Sequence, residues 1–226
     1  MKAPHGSEGG TMASRAIRIA AAIGVTLSAG LTQGAASARA QTIVDEWPSV
    51  KIPPAPELKR VKADPKTMAF LALDFLKPTC NAQQEPRCLA SVPKVAKFLD
   101  AARAHHMLVV ESVSPVRPFT DILPEVAPKG DEPIVRSAAD KFINTDLEKI
   151  LKDHGITTVI VVGRESQGAV LYTTSHATFL GFKAVVPVDG SSGVDAFAEL
   201  AAAWTLANAP GVGAATTLTR FDMIDW

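Results

Sequence analysis

The chain has 226 residues, of which 47% are hydrophobic, enough for one folded domain with a leader or tail and too many for a disordered chain. Lysine and arginine together number 23, as do aspartate and glutamate, so the formal net charge is zero. This balance excludes a strong long-range attraction to nucleic acid or to an anionic membrane. The two cysteines are too few for a four-cysteine metal site.

Residues 1–40 have the pattern of a signal peptide. Arg15 and Arg18 precede an apolar stretch at about 19–31, and Ala38-Arg39-Ala40 supplies the small-x-small pattern of a cleavage site. We expect cleavage after residue 40 and a periplasmic or secreted mature chain that no longer contacts the membrane. An uncleaved anchor or an artefactual extension is the alternative, and Met12 is an alternative start.

Residues 41–65 are proline-rich and show no sustained hydrophobic period, which predicts an extended arm. Residues 66–226 form the predicted domain. Apolar runs predict strands at 66–74, 107–112, 133–136, 157–162, 184–188 and 216–219, and helical spacing and caps predict helices at 91–105, 144–154, 168–179 and 195–208. Alternating strands and helices indicate an α/β domain with a mainly parallel sheet that is covered on both faces.

The segment 157–189 is the most informative. A β-branched run ends at Gly163, a polar turn follows, and a helix and a second apolar run complete a strand–helix–strand unit. Ligands of open α/β sheets bind where strands end and helices begin. The backbone N–H groups of Gly168 and Ala169, with Ser166, are therefore expected to form one wall of a site that can hold an oxyanion or a carboxylate.

Three charged residues are the candidates for chemistry. Asp74 ends the first predicted strand, where a carboxyl group can act as a general acid or base. Arg136 and Lys141 follow the third strand, and either can pair with Asp74 or bind an anionic substrate. The alternatives are a solvated loop carboxylate and surface cations.

The remaining polar residues predict less. Cys80 and Cys88 enclose a short loop, and a disulfide is the expected state in an exported chain, whereas a nucleophilic Cys80 is the sharper alternative. The five histidines have no metal-ligand spacing, and no nucleotide-binding glycine motif occurs. We therefore expect neither a metal nor a cofactor.

Three segments resemble the isochorismatase-like, or cysteine hydrolase, superfamily from about residue 66 to the end of the chain. They are AFLALD ending at Asp74, DKFINTDLEKIL around Lys141, and VVGRESQGAVLYTTSHATFLGFKAVVPVDG. The resemblance implies a three-layer α/β/α sandwich with a roughly six-stranded parallel sheet. It also implies a site made of an aspartate after strand one, a lysine after strand three and a cysteine at the helix start after strand four.

Carried over by position, Asp74 matches the family aspartate, and Ala169 occupies the cysteine position. Counting back from Phe142 places Arg136 at the family lysine, and Lys141 is the alternative. The family's metal-binding aspartate–histidine motif is absent, since VSPVRPFTD contains no histidine. Thioester chemistry is therefore not expected. The isochorismatase branch works without the cysteine and hydrolyses a vinyl ether with the aspartate as proton donor.

Two functional hypotheses follow. The first is an exported hydrolase of isochorismatase type that uses Asp74 for acid/base chemistry on a small molecule. The second is an exported small-molecule-binding protein of the same fold that has lost catalysis. The expected partner is a small-molecule substrate, and apolar stretches such as 198–206 also allow a homo-oligomer.

Overall fold

The computed structural model describes residues 42–226, so the predicted leader lies outside the described residues. The chain divides into two units, Met1–Lys51 and Ile52–Trp226. The described part of the first unit holds a short helix, α1 (Ile43–Glu46), and a 3₁₀ turn at Trp47–Ser49. Within residues 42–226, no helix combines the length and the apolar character that crossing a membrane requires.

A seven-stranded parallel sheet forms the centre of the second unit. Its strands are β2 (Met68–Leu73), β3 (Leu108–Val113), β4 (Ile134–Arg136), β5 (Thr158–Arg164), β6 (Lys183–Pro187), β7 (Ser191–Ser192) and β8 (Thr216–Thr219). The spatial order is β4-β3-β2-β5-β6-β8, and β7 pairs with the end of β5. Because every pairing is parallel, the carboxyl ends of all the strands lie at one edge of the sheet.

Helices cover both faces of the sheet. They are α2 (Pro86–Ala104), α3 (Leu147–Asp153), α4 (Leu171–Phe179) and α5 (Ala196–Asn208). Side chains alternate along each strand, so Phe70 packs in the core with α2, whereas Leu71 packs in the core with α3, α4 and α5. The expected three-layer α/β/α fold is confirmed.

Several element boundaries differ from the sequence prediction. Helix α2 begins at Pro86, not at residue 91, because proline is tolerated in the first turn of a helix, where its missing N–H needs no partner. Strand β5 continues past Gly163 to Arg164 because β7 supplies pairing partners for both residues. The arm and the tail also contain structure: β1 (Val61–Lys62) pairs in parallel with β9 (Ile224–Asp225).

The predicted disulfide is present. Cys80 and Cys88 are bonded to each other, with Cα atoms 5.2 Å apart, and both are buried. The bond joins the loop that follows β2 to the first turn of α2. Neither thiol is free, so the alternative of a nucleophilic Cys80 has no support from the structure.

Candidate functional site

The ends of β2 and β5 meet at the carboxyl edge of the sheet. Leu73 is the register partner of Gly163, so Asp74 leaves the sheet directly beside the turn that follows β5. Gly163 has φ +149°, and a Cβ at this position would overlap the Leu73 carbonyl oxygen and lie 2.6 Å from the Leu73 Cβ. Only glycine permits this close approach of the two strands.

Asp74 has φ +56°, a left-handed conformation that aspartate tolerates better than most residues. Its carboxylate is held from two sides. Ser112 Oγ donates a hydrogen bond to Oδ1 at 2.9 Å, and Lys141 Nζ lies 2.6 Å from Oδ2. The Asp74 amide in turn donates to Ser112 Oγ at 3.2 Å. The side chain of Lys141 is fully buried and that of Asp74 is 13% exposed, so solvent reaches the pair only through the carboxylate.

The loop that carries Lys141 folds back on itself. Lys141 Nζ also donates to the carbonyl oxygens of Ala138 at 2.7 Å and Ser137 at 3.2 Å, so all three ammonium hydrogens have acceptors. The Lys141 amide donates to Thr173 Oγ1 on α4 at 3.1 Å. Thr173 lies one helical turn after Ala169, so the two residues share a face of the helical segment. Ala169 therefore lies on the face of the helical segment that contacts the loop carrying Lys141.

Arg136 lies away from the Asp74–Lys141 pair. Its exposed guanidinium sits 4.7 Å from the centre of the Phe119 ring and donates to the carbonyl oxygens of Arg117 and Pro115. The structure therefore brings Lys141, and not Arg136, to Asp74. Counting back along the sequence selected Arg136 because it took no account of the fold-back of this loop.

The turn after β5 is built from charged side chains. Arg164 pairs with the buried Glu85 and, at 2.9 Å, with Glu165, and Gln167 donates to Glu165 at 3.0 Å. The Gly168 amide donates to the Glu165 carbonyl oxygen at 3.0 Å. This amide, which the sequence predicts to face an oxyanion, is therefore already used within the turn.

Ser166, also predicted to bind ligand, is buried and lines an apolar pocket against α5 whose walls include neither Asp74 nor Lys141. Sequence reasoning did not identify Ser112 or Thr173 as site residues. Ser112 was detectable as a polar residue near the end of an apolar strand, and Thr173 as the threonine of the V-x-x-T pattern.

Glu111, the residue before Ser112, faces the opposite side of the sheet. It is 1% exposed, and burial raises its pKa well above the usual range, while the charge of Arg103 opposes that rise and the charge of Glu132 adds to it. One carboxyl oxygen has no hydrogen-bond partner. This acid belongs to the core around α2 and not to the Asp74 site.

Within 42–226, no three histidine, cysteine, aspartate or glutamate side chains converge as ligands. The site consists of a carboxylate held between a hydroxyl and an ammonium group, next to the turn that follows β5.

Comparison with known proteins extends this description. Residues 68–219 match the family model of the isochorismatase domain. No curated protein matches the chain.

Solved structures share the fold at low sequence identity. An isochorismatase-like hydrolase from Alkaliphilus metalliredigens is 22% identical, with TM-score 0.63, over 70% of this chain and 96% of its own. A cysteine hydrolase from Pseudomonas syringae pv. phaseolicola is 20% identical, with TM-score 0.64, over 74% and 94% of the two chains. N-carbamoylsarcosine amidase from Thermoplasma acidophilum is 19% identical, with TM-score 0.60, over 69% and 97%.

Proposed function

The chain belongs to the isochorismatase family, and from this membership we propose that it is a hydrolase that acts on a small molecule through Asp74 and without a thiol nucleophile. The observation that carries the proposal is the fixed carboxylate. Asp74 has one oxygen on Ser112 and the other on Lys141, at a strand end where substrates of such sheets bind.

In this mechanism Asp74 moves a proton at the reacting bond. The carboxylate takes a proton from an attacking water, or, once protonated, gives one to the substrate atom that must accept it. Ser112 and Lys141 hold the carboxyl group in one orientation, which lowers the entropic cost of reaching a reactive geometry. The Lys141 charge also offsets negative charge that builds up at Asp74 or on the substrate.

Ala169 determines which reactions fit. A methyl group cannot attack a carbonyl carbon, so a covalent acyl intermediate on this residue is impossible, and in the proposed mechanism water is the nucleophile. Protonation of the vinyl carbon, addition of water to the resulting oxocarbenium carbon and collapse of the hemiketal to a carbonyl compound and an alcohol need no covalent bond to the protein. Enol ethers are therefore our first choice of substrate class, ahead of amides and esters.

The test is a panel of vinyl ethers, amides and esters given to wild type, Asp74→Asn and Arg136→Gln. We expect vinyl ether turnover by the wild type and a roughly 10²–10⁴-fold loss in Asp74→Asn, the usual contribution of a general acid or base. Arg136→Gln is the matched control, since Arg136 lies away from the pair, and it should keep its rate within about twofold. Absence of turnover by the wild type, or equal rates in Asp74→Asn, would count against the proposal.

The second hypothesis, a binding protein without catalysis, is favoured by one observation, the alanine at the family's cysteine position. It predicts saturable calorimetric binding of compounds from the same panel with no product formed. Turnover that depends on Asp74 excludes it.

We also propose that the protein is exported. Support comes from the leader pattern in residues 1–40 and from the Cys80–Cys88 disulfide, a bond that persists in oxidising compartments. Fractionation of cells that express the full chain, with N-terminal sequencing of the product, tests this proposal. We expect a periplasmic or secreted chain that begins at Gln41, whereas an uncut cytosolic chain contradicts export.

A further inference from the structure

A pocket whose lining includes neither Asp74 nor Lys141 lies beside the turn after β5, with Ser166 and Val170 in its wall. It has a volume of about 290 Å³ and is lined by side chains from α5, from the strands β6 and β8, and from Ala55, Pro56 and Leu58. Its walls are mainly alanine, valine, leucine and proline side chains. This volume is near the lower end of the range found for small-molecule sites.

The pocket offers no free charge. No lysine, arginine or histidine lines it, and its one carboxylate belongs to Glu199. Both Glu199 oxygens are bonded to Arg87, and Oε1 also accepts the Gly193 amide at 3.0 Å. An anion would enter without a counter-charge, and a cation would have to compete with Arg87, so both are disfavoured.

Two serines supply the polar contacts. Ser166 and Ser191 both line the pocket and are more than nine-tenths buried. Ser191 Oγ has no hydrogen-bond partner. A buried hydroxyl without a partner costs free energy, and a ligand oxygen that pairs with it removes that cost.

We propose that this pocket binds a small uncharged molecule, one ring or two fused rings in size, that carries a single hydroxyl or carbonyl oxygen. The apolar body packs against α5 and residues 55–58, and the oxygen pairs with Ser191, with Ser166 beside it. This site is independent of the hydrolase proposal, because neither Asp74 nor Lys141 lines it.

Three probes of similar shape test the chemistry by equilibrium dialysis against the full purified chain. They are 2-naphthol, which is uncharged at neutral pH, naphthalene, which lacks the oxygen, and 2-naphthoate, which is an anion. We expect 2-naphthol to bind about two- to tenfold more tightly than naphthalene, the range of one net hydrogen bond. We expect 2-naphthoate to bind at least about tenfold more weakly than 2-naphthol, because its charge is buried without a partner.

Variants locate the binding. Ala203→Leu places a larger side chain in the pocket and should abolish 2-naphthol binding, whereas Ala201→Leu, on the same helix but outside the lining, should retain it. Ser191→Ala should reduce the affinity for 2-naphthol to that for naphthalene and leave naphthalene unchanged. This last comparison tests the proposal even if Ala203→Leu does not fold. Asp74→Asn should bind 2-naphthol as the wild type does.

Four results would overturn the proposal: no saturable binding of 2-naphthol by the wild type, 2-naphthoate binding as tightly as 2-naphthol, wild-type affinity in Ala203→Leu, or loss of binding in Asp74→Asn. The last result would move the probe into the hydrolase site. Equal weakening of 2-naphthol and naphthalene by Ser191→Ala would also refute the hydrogen bond.

Discussion

Replacing Lys141 with methionine tests the central ion pair most directly. Methionine has a similar length and apolar stem, so the change removes the charge while it largely keeps the volume. It removes the donor to Asp74 Oδ2 and to the carbonyl oxygens of Ser137 and Ala138, while Ser112 still donates to Asp74 Oδ1. Removing one partner of a buried ion pair costs about 3–5 kcal/mol.

The solvent exposure of the two side chains decides where in that range the loss of stability falls. The Lys141 side chain is fully buried, but the Asp74 side chain is 13% exposed, so water can solvate part of the abandoned carboxylate. We therefore expect a loss near the lower end, about 3 kcal/mol in the free energy of unfolding. For a domain of this size that corresponds to a Tm lowered by roughly 6–12 °C.

Urea and thermal unfolding of wild type, Lys141→Met, Asp74→Asn and the double variant provide the measurement. The double variant should lose less than the sum of the single losses, because no unpaired charge remains buried. Lys152→Met is the matched control, since it breaks an exposed pair with Glu148 and should leave the Tm unchanged within error. A loss below about 1 kcal/mol in Lys141→Met, or strict additivity, would refute the reasoning.

Three further changes probe other parts of the fold. Gly163→Ala should lower stability by at least about 1–3 kcal/mol in urea unfolding, because the new Cβ collides with the neighbouring strand at a strained φ; wild-type stability would contradict this. Burial raises the pKa of Glu111 well above its ordinary value of 4.5, although the charge of Arg103 opposes the rise. The native state therefore keeps a proton that the unfolded chain releases above this ordinary pKa. The free energy of unfolding should then fall as the pH rises from 4.5. Glu111→Gln should therefore become more stable relative to wild type as the pH is raised from 4 to 8. A stability difference between the two proteins that does not change with pH would refute the raised pKa of Glu111. Replacing Cys80 and Cys88 with serine should lower the free energy of unfolding by about 2–3 kcal/mol, because the unfolded chain loses the covalent constraint of this short loop. A Tm equal to that of the wild type would show that the bond contributes nothing.

The sequence specified the layers of the fold well. Apolar runs of six or seven residues, such as the one before Asp74, are typical of strands buried on both faces, and the helical spacing between them favoured a parallel sheet. The pairing of β1 with β9 was not predictable, because two-residue strands leave no period to detect and their partners are far apart in sequence.

The site was only partly predictable. Strand ends are visible in a sequence, and so Asp74 and the turn after β5 were identified. The choice between Arg136 and Lys141 depends on how a loop folds back, and loop paths follow from carbonyl acceptors such as that of Ala138, which no pattern of side chains reports. The use of the Gly168 amide within the turn was hidden for the same reason.

The position of the disulfide has a mechanical consequence. Cys80 lies in the loop that follows Asp74. Cys88 lies in the first turn of α2, three residues after Glu85, which forms an ion pair with Arg164. The disulfide and the Glu85–Arg164 ion pair therefore connect the segment after Asp74, through the start of α2, to the turn after β5. Because these links run from the Asp74 side to the facing turn, we expect a displacement of one to be transmitted to the other.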